Sequence, residues 1–317
     1  MLDQITPLIL TYNEAPNLER TMRQLSWARD IVVVDSFSDD DTAVIAQSFP
    51  QTRLFERRFD THQNQWTFGL TQTDIKTPWV LALDADYVLT DELIDELKSL
   101  EPEPSINGYR VKFSYCMSGK PLRSGIYPPV NVLYRTSEAI YEQDGHTHRI
   151  KINGRVSQLH SPILHDDRKS LRRWFQSQVT YAELEARKLL TSNNKLSLAD
   201  RIRTWRIFAP IGVVLYCLVW RGGLLDGWRG LFYAFQRAIA ELMLSLYLIA
   251  ATLSRNYKAQ LLSEGTRFRV PKGPNLVAVG ERLCAKPTGV IKQTSKTLKG
   301  LDNQPSSTLS GSKHMTD

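Results

Sequence analysis

Cysteine is scarce. The 317 residues contain three, Cys116, Cys217 and Cys284, widely spaced and odd in number, with no CxxC among them. That excludes a disulfide scaffold and a zinc knuckle and points to reduced thiols in a cytosolic setting. An unbroken apolar run of bilayer length is also missing. Crossing takes about 20 such residues. The stretch 207–220, "IFAPIGVVLYCLVW", has 14, and 231–253 is interrupted by Gln236, Arg237 and Glu241. The opening "MLDQITPLILTYNE" holds no basic region ahead of a long apolar stretch, so no signal peptide is expected. Residues 11–20 carry no glycine-rich basic loop of the kind a nucleotidyltransferase would show. Acidic residues thin out towards the end. From Arg255 onward 11 Lys/Arg face 4 Asp/Glu, and 11 − 4 = +7 equals the net charge of the whole chain. The body is therefore neutral. A basic tail beside an apolar region favours an anionic membrane surface over nucleic acid.

What the sequence does have is a hydrophobic content of 42% with 23% charged residues, ordinary for a folded core. Over the first hundred residues short apolar runs alternate with helical patterns. Strands are expected at 7–12, 30–36, 52–58 and 78–86, and helices at 15–28, 41–49 and 63–73. Such alternation predicts a mostly parallel sheet covered on both faces, with ligands bound beyond the C-terminal strand ends. Each strand ends in polar groups: Thr11–Glu14, Asp35–Asp41 and Asp84–Asp86. Residues 107–160 read as short antiparallel or mixed strands, and 170–190 as a long amphipathic helix. For 207–220 and 231–253 three readings stay open: buried core helices, helices lying in a membrane interface, or true spans. Arg201, Arg203, Arg206 and Trp228 flank them as headgroup-region residues would. Little fixed structure is expected from 256 to 317.

The chemistry centres on "ALDADY" (82–87), where Asp84 and Asp86 follow a core strand. Two carboxylates there can hold one hard cation such as Mg²⁺ or Mn²⁺, which in turn neutralises a diphosphate. They could instead cap the helix that starts near Thr90, and Asp35 and Asp40 could cap theirs. "TPLILTYNEAPNLERT", "IVVVDSFSDDDT" and "LALDADY" occur in this order over residues 6–90. Together they resemble the family 2 glycosyltransferases of GT-A fold. Within that family "VVVDSFSDDDT", "YEQDGHTHRI" and "YAELEARKLL" most resemble the lipopolysaccharide core glucosyltransferase group.

The resemblance implies an α/β GT-A (Rossmann-like) domain, mostly parallel, over residues 1–200. Its 1–100 half binds the nucleotide sugar, and 101–200 forms the acceptor half and long helix. A membrane-associated helical region (201–255) and a basic tail (256–317) follow. The implied activity is inverting transfer of one sugar from a nucleoside-diphosphate sugar to a lipid-linked or glycan acceptor, at the cytoplasmic face of the inner membrane. Polyprenyl-phosphate sugar transfer and an inactive membrane scaffold are the alternatives. Thr11, Tyr12, Glu14, Asp35, Gln65 and Asp84 would contact the donor. Asp86, with His165 as a further candidate, would hold the divalent cation. Family members draw the base from a Glu-Asp pair some distance on. Here "YEQDGHTHRI" has no adjacent pair, so Asp144, then Glu142, are the candidates, with His146 and His148 possible bases or diphosphate contacts. Ser170 stands where processive members have Gln, which argues against a polymerising synthase.

Overall fold

The computed structural model of the protein describes residues 1–144, 147–191 and 198–263, without the side chains of 143–149, 198 and 199. The first four strands, β1 (Ile5–Thr11), β2 (Ile31–Asp35), β3 (Thr52–Glu56) and β4 (Trp79–Asp84), are mutually parallel, in the order β4-β1-β2-β3. They alternate with α1 (Ala15–Arg23), α2 (Thr42–Gln47) and α3 (His62–Thr71). β1, β2 and β4 are apolar and buried almost throughout, as strands covered on both faces must be. Beyond β4 come β5 (Tyr87–Leu89), α4 (Asp91–Ser99), β6 (Ile106–Val111), β7 (Phe113–Met117), β8 (Lys120–Pro121) and β9 (Val130–Arg135). Then follow β10 (Ala139–Asp144), β11 (Thr147–Ile152), β12 (Arg155–Gln158) and β13 (Ile163–His165). β9 runs antiparallel to β4 and β6 and completes a seven-stranded sheet, β12-β6-β9-β4-β1-β2-β3.

The two faces of this sheet are covered differently. Ile9, Val33, Leu81 and Leu83 pack on one side with Leu18 and Met22 of α1 and Leu93 and Leu97 of α4. Leu8, Val32, Val34 and Val80 pack on the other with Trp66 and Leu70 of α3. Tyr141, on the β10–β11 ribbon, stacks on Trp66 at 5.5 Å. Helices on both faces were expected; a two-stranded ribbon supplies part of the second cover, because Tyr141, Ile150 and Ile152 offer it an apolar side. α1 stops at Arg23, short of the residue 28 expected from its pattern: Leu25 and Ala28 continue the buried stripe as turns.

A second sheet, β5-β13-β7-β8, stands beside the ends of the first. From it the chain enters α5 (Leu171–Thr191), then α6 (Leu198–Arg203), α7 (Phe208–Leu215), α8 (Trp228–Leu253) and α9 (Arg255–Ser263). Ala182, Ala186 and Leu189 of α5 meet Leu244 and Leu248 of α8, with Leu261 of α9. That burial extends order to Ser263, past the residue 256 expected to begin a loose tail. Among the described residues α8 alone has the length and composition to cross a membrane. Its Glu241, however, is buried against protein: Arg203 Nε lies 3.0 Å away, and Arg203 Nη1 also approaches Glu185 of α5 at 3.4 Å. Lys188 stands 3.8 Å from Glu185 and 3.5 Å from Asp200. One side of α8 therefore belongs to a charged seam inside the helical bundle.

The α7–α8 connection depends on two glycines. A Cβ on Gly230 would fall 2.0 Å from the Gly223 carbonyl oxygen, and one on Gly223 would fall 2.7 Å from that of Cys217. Two backbones touch here, and no side chain fits between them.

Candidate active site

Strand register brings the first polar groups together. Thr11 pairs with Asp35 across β1–β2, and Leu10 pairs with Asp84 across β1–β4. Thr11, Asp35 and Asp84 thus stand side by side at the C-terminal edge. Thr11 Oγ1 donates to Asp35 Oδ1 at 2.7 Å, and Ser38 donates to Asp35 through its N–H (2.7 Å) and its hydroxyl (2.6 Å). Asp35 is only 1% exposed. It ties the first two strand ends together. Asp40 accepts from Ala15 N at 3.2 Å and from the Thr42 N–H at 3.0 Å, so it joins the starts of α1 and α2.

Neither Asp84 nor Asp86 caps a helix. Thr90 does that for α4, accepting from Leu93 N at 3.2 Å. β13 instead delivers His165 to the pair: it lies opposite Tyr87 on β5 and Tyr115 on β7. His165 Nε2 is 3.2 Å from Asp86 Oδ2. Burial opposes charge on Asp86, but the His165 cation, its hydrogen bond and Lys169 outweigh it and hold the carboxyl at about 2. Burial likewise opposes the His165 imidazolium, and Asp86 overrides it, raising the ring above its ordinary value. Asp84 differs: burial and the neighbouring Asp86 charge push it up to about 6, against a hydrogen bond from Tyr87. The two carboxylates are thus set apart in acidity.

Segment 166–173 closes this edge. Asp166 binds Arg20 at 2.6 Å and Arg168 at 2.9 Å, and Asn17 donates to Asp167 at 3.0 Å. Lys169 Nζ meets Glu14 at 2.7 Å, and burial pushes that carboxyl up to about 7 despite the Lys169 charge. Arg173 donates to the Tyr12 carbonyl at 2.9 Å, with its guanidinium 5.4 Å from the Tyr12 ring centre. Ser170 Oγ accepts from Arg173 N at 3.3 Å, a helix-capping bond at the position where Gln was missing. Gln65 is fully buried, accepting from Arg57 at 2.6 Å and donating to Ser36 at 3.1 Å. It buttresses the Asp35 turn from behind.

Of the candidate bases, Glu142 alone has a described side chain. Glu142 pairs with Lys151 at 2.6 Å on the exposed side of the ribbon. Asp144 ends β10, but its side chain, like those of His146 and His148, lies outside the described residues. Sequence reasoning missed Lys169, although "HDDRKS" holds it four residues after His165. It also missed the aromatic surround of His165: Tyr87, Phe113, Tyr115 and Tyr127, with ring centres 5.1 to 5.9 Å away. These arrive from three separate segments: strand pairing unites Tyr87, Phe113 and Tyr115, and the loop 122–129 adds Tyr127.

Asp86 Oδ1 and His165 Nδ1 are buried and have no hydrogen-bond partner. A cation at Asp86 would satisfy that carboxylate oxygen. Among the described residues no group of three or more His, Cys, Asp or Glu gathers as a closed metal cage. One or two protein ligands completed by phosphate and water are what Mg²⁺ takes in nucleotide sites, so the residues present fit such an ion.

Residues 8–148 match the family model described as glycosyl transferase family 2. Among related sequences, an uncharacterized glycosyltransferase of Rickettsia bellii is 26% identical over 293 residues, covering 86% of this chain and 98% of that one. One from Rickettsia felis is 24% identical, covering 77% and 91%. Among solved structures, S. aureus TarS 1–349 in complex with UDP-GlcNAc aligns with a TM-score of 0.44 at 14% identity, covering 84% and 93%. Glucosyl-3-phosphoglycerate synthase from Mycobacterium tuberculosis, in complex with Mn²⁺, UDP and phosphoglyceric acid, aligns at 0.40 and 14%, covering 62% and 82%. The match to the glycosyl transferase family 2 model thus covers the segment, 8–148, that carries the strand-end carboxylates described above.

Proposed function

We propose that this chain moves one sugar, with inversion, from a nucleoside-diphosphate sugar to a lipid-linked or cell-envelope glycan acceptor at the cytoplasmic face of the membrane. The observation that carries the reading is Asp86 Oδ1, a buried, unpartnered carboxylate oxygen beside His165 at the mouth of the parallel sheet. Asp86 and His165 would hold Mg²⁺ or Mn²⁺, whose positive charge stabilises a departing diphosphate. Lys169 and Arg173 add fixed cations on the same edge. Thr11, Tyr12 and Glu14 line the nucleotide side, and Asp84 faces the ribose. The acceptor hydroxyl attacks the anomeric carbon opposite the leaving diphosphate and gives its proton to a carboxylate. Asp144 is assigned that proton before Glu142, whose carboxylate is neutralised by Lys151.

The finer grouping with lipopolysaccharide core glucosyltransferases rests on the three sequence stretches quoted above. Membrane placement is supported by the apolar exposure of 205–228 and the basic tail. Screening nucleotide sugars for hydrolysis with Mg²⁺, Mn²⁺ or chelator, then offering membrane lipid extracts as acceptor, tests the reading. Chelator-sensitive hydrolysis of one donor, and radiolabel passing into the lipid fraction, are expected. Turnover of none of the donors would sink it. Asp144→Asn should slow transfer by about 10²–10⁴ while calorimetric donor affinity stays unchanged; equal loss of both would move the base elsewhere.

A further inference from the structure

The turn between α7 and α8 presents apolar side chains to solvent. Trp220 is 81% and Trp228 84% exposed, and Val219 before them and Leu224 and Leu225 between them are also mostly outside. Folded surfaces rarely leave so dense an apolar tip uncovered without a partner. Charge selects that partner. Over residues 201–253 the exposed ionic groups are Arg201, Arg206, Arg221 and Arg229. The two acids of the segment are both engaged, Asp226 with Ser124 and Glu241 with Arg203. A second copy of the chain would bring arginines against arginines, which opposes association. An anionic bilayer meets both features, with tryptophans at the headgroup level and arginines among the phosphates.

The same turn holds a wall of the candidate active site. Ser124 donates to Asp226 through its N–H (3.0 Å) and its hydroxyl (2.9 Å). Arg221 donates to the Gly125 carbonyl at 2.7 Å, and Ile126 N donates to the Tyr233 hydroxyl at 3.3 Å. Three successive residues are thus gripped from the turn and the start of α8. The next residue, Tyr127, stacks on Tyr115 at 5.4 Å and lies 5.2 Å from the His165 ring. The close glycine contact that shapes the turn makes it stiff rather than a loose finger.

We propose that the tip formed by Val219, Trp220, Leu224, Leu225 and Trp228 inserts into one leaflet of an anionic phospholipid bilayer, and that Asp226, Arg221 and Tyr233 carry its position to the 124–127 wall. The charged seam on the protein side of α8 keeps that helix out of the hydrocarbon, so the contact is one leaflet deep and does not span. The second half of the proposal rests on the transferase reading: the acceptor then enters from the bilayer side, past Tyr127.

The full chain is tested with phosphatidylglycerol–phosphatidylethanolamine vesicles, by sedimentation, by quenching of tryptophan emission with lipids brominated at shallow or deep acyl positions, and by hydrogen exchange at the Ser124 and Ile126 amides. Wild type should sediment with the vesicles, be quenched by shallow bromines only, and exchange those two amides more slowly when bound. Trp220→Ser with Trp228→Ser should lower partition by about a hundredfold, from two lost apolar insertions, and abolish the added protection. Leu224→Ser with Leu225→Ser is the second variant, and melting curves confirm that both fold. Undiminished vesicle binding by both variants, quenching from the bilayer centre, or unchanged amide exchange on binding would each overturn the proposal. So would a lipid-free dimer lost in the same variants. Nucleotide-sugar hydrolysis, measured separately, identifies failure of the transferase reading, which leaves the vesicle result intact.

Discussion

Replacing Arg203 by Met should destabilise the bundle by about 3 kcal/mol. Arg203 bridges Glu241 at 3.0 Å and Glu185 at 3.4 Å, and the two carboxylates are only 8% and 7% exposed. Removing one partner of a buried pair costs about 3–5 kcal/mol, mostly because a charge is left without compensation. The lower end applies here, since Lys188 remains 3.8 Å from Glu185 and Arg237 3.9 Å from Glu241. For a domain of this size about 3 kcal/mol corresponds to a fall in Tm of about 6–12 °C. Differential scanning calorimetry in detergent-free buffer measures it. Adding Glu241→Gln to Arg203→Met should recover part of the loss, because the two positions are coupled through one contact. A fall below about 2 °C would refute the reasoning: the seam would then be screened by water, and α8 would regain its claim to lie elsewhere than against α5 and α6.

Asp86→Asn should nearly abolish sugar transfer and remove divalent-cation binding by calorimetry while leaving the melting curve cooperative; wild-type turnover in chelator would contradict the role given to it. In metal-free buffer, stability should depend on pH through His165. Its folded value is raised above 6.5, so its contribution is complete below that pH and fades as pH rises through the folded value. His165→Gln should flatten that slope, and an unchanged profile would show that the ring does not carry it. Asp86 acts in the opposite sense: its contribution holds above 3.8 and is lost as pH falls towards about 2. Gly230→Ala should disrupt the α7–α8 turn, since its Cβ would lie 2.0 Å from a carbonyl oxygen; a crystal structure of the variant with an unmoved turn would contradict the steric argument.

The parallel half of the sheet was legible because each of its elements declares itself locally. β1, β2 and β4 are continuous apolar runs ending in polar groups, so their burial and their functional edge are written in the same few residues. His165 was set beside Asp86 only through the family resemblance, and no local pattern in the sequence shows the contact. Its contact with Asp86 depends on β13 inserting between β5 and β7, a pairing with no sequence signature. The same holds for Lys169 and Tyr127, whose importance comes from residues more than a hundred positions away or in another sheet. The apolar pattern of α8 reads alike for a core helix and a membrane helix. Only the position of Arg203 against Glu241 separates them, and that is tertiary.

The ties between α1 and segment 166–173 also bear on how the protein is made. Arg20 to Asp166, Asn17 to Asp167, Glu14 to Lys169 and Tyr12 to Arg173 span 146 to 161 residues of chain. Contacts that distant form late in folding, because the intervening chain must first be ordered. During synthesis the parallel strands can assemble soon after β4 leaves the ribosome, yet the cations of segment 166–173 are still untranslated. A nascent chain of that length therefore has Glu14 without Lys169 and the Tyr12 carbonyl without Arg173. Those ties close only once the chain has reached α5, the helix that also seats the bundle. The candidate site's edge and the helical bundle are therefore completed together.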